Sequence, residues 1–139
     1  MRYLLLPMIV LLSAAAPLPP AAEDAKRIQG TWSVVLFEAR GMSFPDEKLK
    51  LMTLEFKENV FILNDGVTPE HGTFKLDPST KPKGFDATIK RGEKGEVALF
   101  IYELDGDNLK LCWRKPGSER PTAFTSTGTD GYMVLKRKK

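Results

Sequence analysis

His71 is the only histidine in this chain of 139 residues, and Cys112 is the only cysteine. To act as a general base, His71 needs a nucleophile or an acid partner within hydrogen-bond reach. The chain has no Gly-x-Ser-x-Gly elbow, and Ser118 sits in a Pro-Gly-Ser-Glu-Arg loop. His71, just before Gly72 at the start of an apolar run, reads as a surface or rim residue. Cys112 lies between Leu111 and Trp113 and reads as a buried, inert thiol. Exposed in an oxidising compartment, it would instead be available for an intermolecular disulfide. A single Cys excludes an intrachain disulfide framework, a Cys-based zinc site and a cluster held by several thiolates. Glu103, Asp105 and Asp107 form a carboxylate cluster, but they lack the Asp-x-Asp-x-Asp-Gly spacing of a calcium loop. Asp105-Gly106-Asp107-Asn108 reads as a hairpin turn. No catalytic, cofactor-binding or metal-ligating residue is expected.

Two further segments remain. Arg120-Pro121-Thr122-Ala123-Phe124 lies in the longest expected loop, where binding residues often sit. Its plainer reading makes Phe124 the anchor of the loop and Pro121 its stiffener. Arg120, Pro121 and Phe124 are a candidate loop site. The tail Lys136-Arg137-Lys138-Lys139 reads as a solvated terminus, with weak attraction to an anionic surface as the alternative. Net charge is +3, from 21 basic and 18 acidic residues. That is too mild to imply a nucleic-acid partner.

The first 22 residues read as a signal peptide and lead-in. Arg2 is the only charge before Glu23, and an apolar run to Leu12 precedes Ser13-Ala14-Ala15-Ala16. The run falls short of the about 20 apolar residues that span a bilayer. Cleavage is expected between residues 15 and 22, with small residues favouring a cut after Ala15. Pro17 to Asp24 then form a loose lead-in, and no stable membrane insertion is expected after signal removal. The mature protein is expected to be exported, periplasmic or extracellular. Its single domain, residues 23–139, is large enough to fold without a disulfide.

The elements that must position any site are short and strand-like. Apolar residues alternate with period two through Thr31–Ala39, Lys50–Lys57, Val60–Asn64, Glu70–Asp77, a run around Phe85-Ala87-Ile89, Glu96–Leu104, Asn108–Arg114 and Gly131–Arg137. In the first, Trp32, Val34 and Leu36 share the expected inner face. One helical turn is expected after Pro45, and residues 91–95 read as a polar loop. No segment shows a 3.6-residue period over ten or more residues. Eight strands joined mainly by tight turns predict an all-β fold, an eight-stranded antiparallel up-and-down barrel.

Gly30-Thr31-Trp32 resembles the Gly-x-Trp opening of lipocalins and related calycin barrels. In those, the tryptophan plugs the closed end, and a basic residue of the last strand lies across it. The resemblance implies that Trp32 and Arg137 form this plug, held by a cation over an aromatic face. Further segments are similar to a narrower family: Ile28-Gln29-Gly30-Thr31-Trp32, Gly72 to Pro78, Lys81-Pro82-Lys83, Tyr102 to Cys112, Arg120 to Phe124 and Leu135-Lys136-Arg137. Together they resemble small exported bacterial domains, frequent in planctomycetes, with a lipocalin-like fold and no assigned activity.

Three functions follow as expectations. The first is a binding module for a small apolar or amphipathic ligand. It requires a cavity of at least about 300 Å³ opening away from Trp32. The second is a ligand-free structural or protein-interaction domain of the cell envelope, its lumen closed by some of the eight Phe residues. The third and weakest is an enzyme, which requires a perturbed titratable group inside a cleft. The protein partner, if any, is not specified by the sequence.

Overall fold

Each run of alternating apolar residues buries one side, so the strands curl into a single sheet that closes on itself. The computed structural model describes residues 19–91, 94–128 and 130–139. The signal-peptide features before residue 19 lie outside the described residues. The strands are β1 (Gly30–Ala39), β2 (Met42–Ser43), β3 (Thr53–Lys57), β4 (Val60–Asn64), β5 (Glu70–Asp77), β6 (Lys83–Arg91), β7 (Lys94–Asp105), β8 (Asn108–Trp113) and β9 (Gly131–Arg137). Eight of them form an antiparallel ring in the order β1-β3-β4-β5-β6-β7-β8-β9, closed by pairing of β9 with β1. This is the expected eight-stranded up-and-down barrel. Closure leaves no long exposed edge. The two-residue β2 folds back on the end of β1 through the Arg40-Gly41 turn.

The structure departs from several local expectations. Within the expected lead-in of Pro17 to Asp24, residues 20–24 are not loose: they begin α1 (Pro20–Arg27), a two-turn helix with Asp24 buried. Pro20 at its first position, Glu23 in its first turn and Lys26 and Arg27 in its last all favour it. Two turns are too few to show a 3.6-residue period. In β1, the pairing with β9 shifts between Val34 and Leu36, so Val35 is a bulge. The extra residue reverses the alternation beyond it. Phe37 and Ala39, rather than Leu36, therefore face the lumen. Another departure concerns residues 91–95, where pairing of Lys90 with Gly95 and Arg91 with Lys94 prolongs the β6–β7 ladder.

The second strand starts late, at Thr53, because the expected turn after Pro45 runs as α2 (Asp46–Leu49) and the chain turns again before β3. β3 therefore pairs only with residues 30–33 of β1. The upper edge of β1 is covered instead by β2 and by Phe44, whose N–H donates to the Phe37 carbonyl at 2.9 Å. Leu49 and Met52 are buried in the core at this seam.

Candidate functional site

The inward side chains fill the two ends of the barrel differently. At the end where β1 begins, Trp32 is fully buried. Its Nε1 donates to the Ile28 carbonyl at 2.8 Å, so its one polar atom is satisfied. The Arg137 guanidinium carbon lies 4.4 Å from the Trp32 ring centroid. Arg137 also donates to Asp107 Oδ1 at 3.0 Å, to the Gln29 carbonyl at 2.7 Å and to the Arg27 carbonyl. Asp107, read as a turn residue, thus also anchors this arginine.

Helix α1 closes the same end. Asp24 accepts a hydrogen bond from Tyr102 Oη at 2.7 Å and from Lys83 Nζ at 2.9 Å. Burial, and then the bond to Asp24, push the Tyr102 phenol far above its ordinary range. Gln29 ties the helix end to the β3–β4 turn. Its Nε2 donates to the Ala25 and Glu58 carbonyls, and its Oε1 accepts the Glu58 N–H at 2.7 Å.

The opposite end is hollow. A cavity of about 350 Å³ lies between the strands there. Leu54 and Leu111 are among its lining residues, and its walls include Phe37, Phe61, Phe85, Phe100 and Trp113. Phe37, Phe85, Phe100 and Trp113 belong to a nearly continuous aromatic belt. Phe74 stacks on Phe85 at 5.2 Å, Phe85 meets Phe100 at 5.4 Å, Phe100 stacks on Trp113 at 5.4 Å, and Trp113 meets Phe37 edge-on at 5.4 Å.

Small residues explain why the rings do not fill this space. Ala39, Ala87 and Ala98 face the cavity, and Ala87 pairs directly with Ala98. Gly131 lies beneath the Trp113 indole: a Cβ there would come within 2.2 Å of it. Gly72 does the same for Phe61, at 2.5 Å. Both glycines let a large ring rest against the wall instead of crossing the lumen.

Among the described residues, the polar residues of the mouth are Arg40, Glu70, Arg114 and Lys115. Arg114 Nε donates to Asp130 Oδ1 at 3.0 Å, and Asp130 is buried. None of these four mouth residues was singled out from sequence. Arg40 carried one signal: an Arg-Gly pair at a two-residue hairpin, where Asn-Gly is the usual choice.

The candidate loop site lies elsewhere. Arg120 packs on the outer wall over Gly84, where a Cβ would come within 2.7 Å of its guanidinium. Its Nη1 donates to the Phe100 carbonyl at 2.7 Å. Its Nη2 lies 2.7 Å from Asp86 Oδ1 as a charge contact, and no aligned donor among the described residues reaches that buried oxygen. Pro121 is buried, and Phe124 meets Tyr132 edge-on at 6.3 Å. Beneath this loop Ile101 and Cys112 are fully buried. Cys112 Sγ lies 3.2 Å from the Thr125 carbonyl, and burial raises its thiol above the usual value. The loop covers a small apolar patch outside the barrel, and none of Arg120, Pro121 and Phe124 lines the cavity.

His71 is exposed at the head of β5. Among the described residues, the groups displaced upward, Tyr102 and Cys112, both lie away from the cavity. Among the described residues, no three His, Cys, Asp or Glu side chains are grouped to hold a metal ion. No protein-family model matches the chain, and neither curated proteins nor solved structures provide a match.

Proposed function

We propose that this protein is an exported, lipocalin-like binding module that takes a small apolar or amphipathic molecule into the open end of its barrel. The observation that carries the reading is the cavity itself. Its volume of about 350 Å³ falls within the about 300–1,000 Å³ of ligand pockets, and it opens away from Trp32. Its walls are aromatic and aliphatic, with polar groups only at the mouth. Binding rather than catalysis is supported by the placement of the perturbed groups outside this cavity.

The export reading rests on the first 22 residues. Of the two cleavage positions, a cut after Ala15 keeps α1 whole, and a cut after Ala22 removes its first turn. Membership of the small exported bacterial family rests on the quoted segments. Several of them now have a structural role: Gln29, Trp32 and Arg137 build the closed end, and Lys83 and Tyr102 hold α1.

The test is uptake of the neutral fluorophore N-phenyl-1-naphthylamine by the purified protein. The reading predicts a saturable rise in fluorescence with one site per chain, reversed by decanol. No uptake would overturn it. The rival reading, an interaction domain without a ligand, draws on the exposed Leu51 and Val67, with Leu51 lying against Gly66, the chain neighbour of Val67.

A further inference from the structure

We propose that the ligand of this cavity carries an anionic head group, received by Arg40 and Lys115 with Arg114 behind them. The proposal rests on the reading of the cavity as a ligand site and names the ligand's chemistry.

The charges at the mouth are sorted by strand. Ala39, Gly131 and Trp113 lie in one row across β1, β9 and β8. One residue further toward the mouth on each strand come Arg40, Asp130 and Arg114, followed by Lys115. The row is fixed by backbone: the Arg40 N–H donates to the Asp130 carbonyl at 3.4 Å. Three cations therefore occupy one arc of three adjacent strands. Among the described residues, the only acid lining the mouth is Glu70, which starts β5, four strands from β9 in a ring of eight. It lies across the opening from the cationic arc.

The three cations are not equivalent. Arg114 is held by the buried Asp130 carboxylate, which offsets its charge. Arg40 and Lys115 are exposed, and neither side chain has a partner among the described residues. Their charge is therefore available to a ligand, at the edge of an apolar cavity where a charge pair is screened less than in open water.

Arg40 also occupies a conformation that arginine disfavours. Its φ is 54° and that of Gly41 is 74°, so both central residues of the β1–β2 turn are left-handed, as a type I′ turn requires. Asn or Gly takes the first position at lower cost. An arginine held there despite that cost places a guanidinium at the rim of the hollow end. Strain of this kind clusters at binding sites.

The cavity and the arc together fit a chain with a carboxylate or phosphate at one end. At about 30 Å³ for each water-sized group, the cavity holds on the order of ten such groups.

The experiment displaces bound N-phenyl-1-naphthylamine with three probes of equal chain length at neutral pH: decanoate, decanol and decyltrimethylammonium. Decanoate is expected to bind about fivefold or more tightly than decanol, the margin of a charge-assisted hydrogen bond over a neutral one. Decyltrimethylammonium is expected to be weakest. The preference for decanoate should shrink with added salt and collapse in the double variant Arg40→Asn, Lys115→Gln, which still takes up the fluorophore. Asn suits the left-handed turn, so the variant tests charge and not folding. Equal binding of decanoate and decanol, or tightest binding of the ammonium, overturns the anionic head group and leaves the cavity reading standing. Failure of the wild type to take up the fluorophore overturns both.

Discussion

Two arginines at opposite ends of the barrel show how differently one residue type is used. Arg137, at the closed end, spends its guanidinium on Asp107, on two carbonyls and on the Trp32 face. Arg40, at the open end, meets no side-chain partner among the described residues and sits in a backbone conformation it disfavours. The aromatics divide the same way. Trp32 is enclosed on every side, and its only polar atom is bonded. Trp113 rests on Gly131 and faces a hollow. Satisfied groups in dense packing stabilise a fold. Unsatisfied charge around unfilled apolar space adds little stability and leaves room for a ligand. The difference assigns stability to one end and binding to the other, and it is open to direct attack by mutation.

The largest effect is expected at the closed end. Trp32→Ala removes a fully buried indole and should destabilise the protein by about 3–5 kcal/mol in chemical denaturation. A loss below about 1 kcal/mol would show that Trp32 is not the plug of the barrel. Tyr102→Phe comes next, at about 1–3 kcal/mol, because it deprives the buried Asp24 of its shortest hydrogen bond. This loss should depend on pH. The native fold holds the Tyr102 proton well above the ordinary value of 10, whereas the unfolded chain releases it near 10. Above pH 10 the unfolded state therefore binds fewer protons at this residue. The wild type loses stability there at up to about 1.4 kcal/mol per pH unit from Tyr102 alone. Phenylalanine has no proton to lose. The gap between wild type and Tyr102→Phe should narrow as pH rises from 10, measured by urea titration across that range. A gap that stays constant would remove Tyr102 from the closed-end network.

The closed end was the more legible of the two in sequence. Gly30-Thr31-Trp32 and Arg137 mark it because a residue with φ of 111°, a large indole and a distant cation must each be one particular type. Strand alternation was legible for the same reason: burial on one face imposes a period of two. Four features were not. Helix α1 is too short for its period to register against its prolines. The bulge at Val35 inserts one residue without changing composition, and it moves the inner face of β1 from Leu36 to Phe37 and Ala39. The cavity is an absence of side chains. It arises because Ala87 meets Ala98 across β6 and β7, and register of that kind is a property of the pairing and not of either strand. The rim charges Arg40, Arg114, Lys115 and Glu70 come from three separate segments and become a site only when the barrel closes. The Arg120–Phe124 segment stood out in sequence because it lies in the longest loop. The structure spends it on covering Ile101 and Cys112.

The open end should respond in the opposite direction. Ala98→Leu places three extra carbons in the hollow rather than in packed core. It should stabilise the fold by about 0.5–2 kcal/mol, as cavity-filling changes commonly do, and abolish fluorophore uptake. A destabilised variant that still binds the fluorophore would mean that the hollow is not where the ligand goes.

Arg40→Asn is the smallest perturbation and the sharpest contrast with Arg137. The native turn holds Arg40 at φ 54°, a region Asn enters more readily because its short side chain bonds locally. Losing the guanidinium breaks no side-chain contact among the described residues. Stability should therefore hold or rise, by less than about 1 kcal/mol. Arg137→Gln removes an ion pair, two carbonyl bonds and a cation over an aromatic ring. It should cost about 1–3 kcal/mol. Thermal or urea unfolding of the two variants side by side decides whether the ends differ as described. If Arg40→Asn costs as much as Arg137→Gln, Arg40 is a structural arginine, and the open end has no spare charge to offer a ligand.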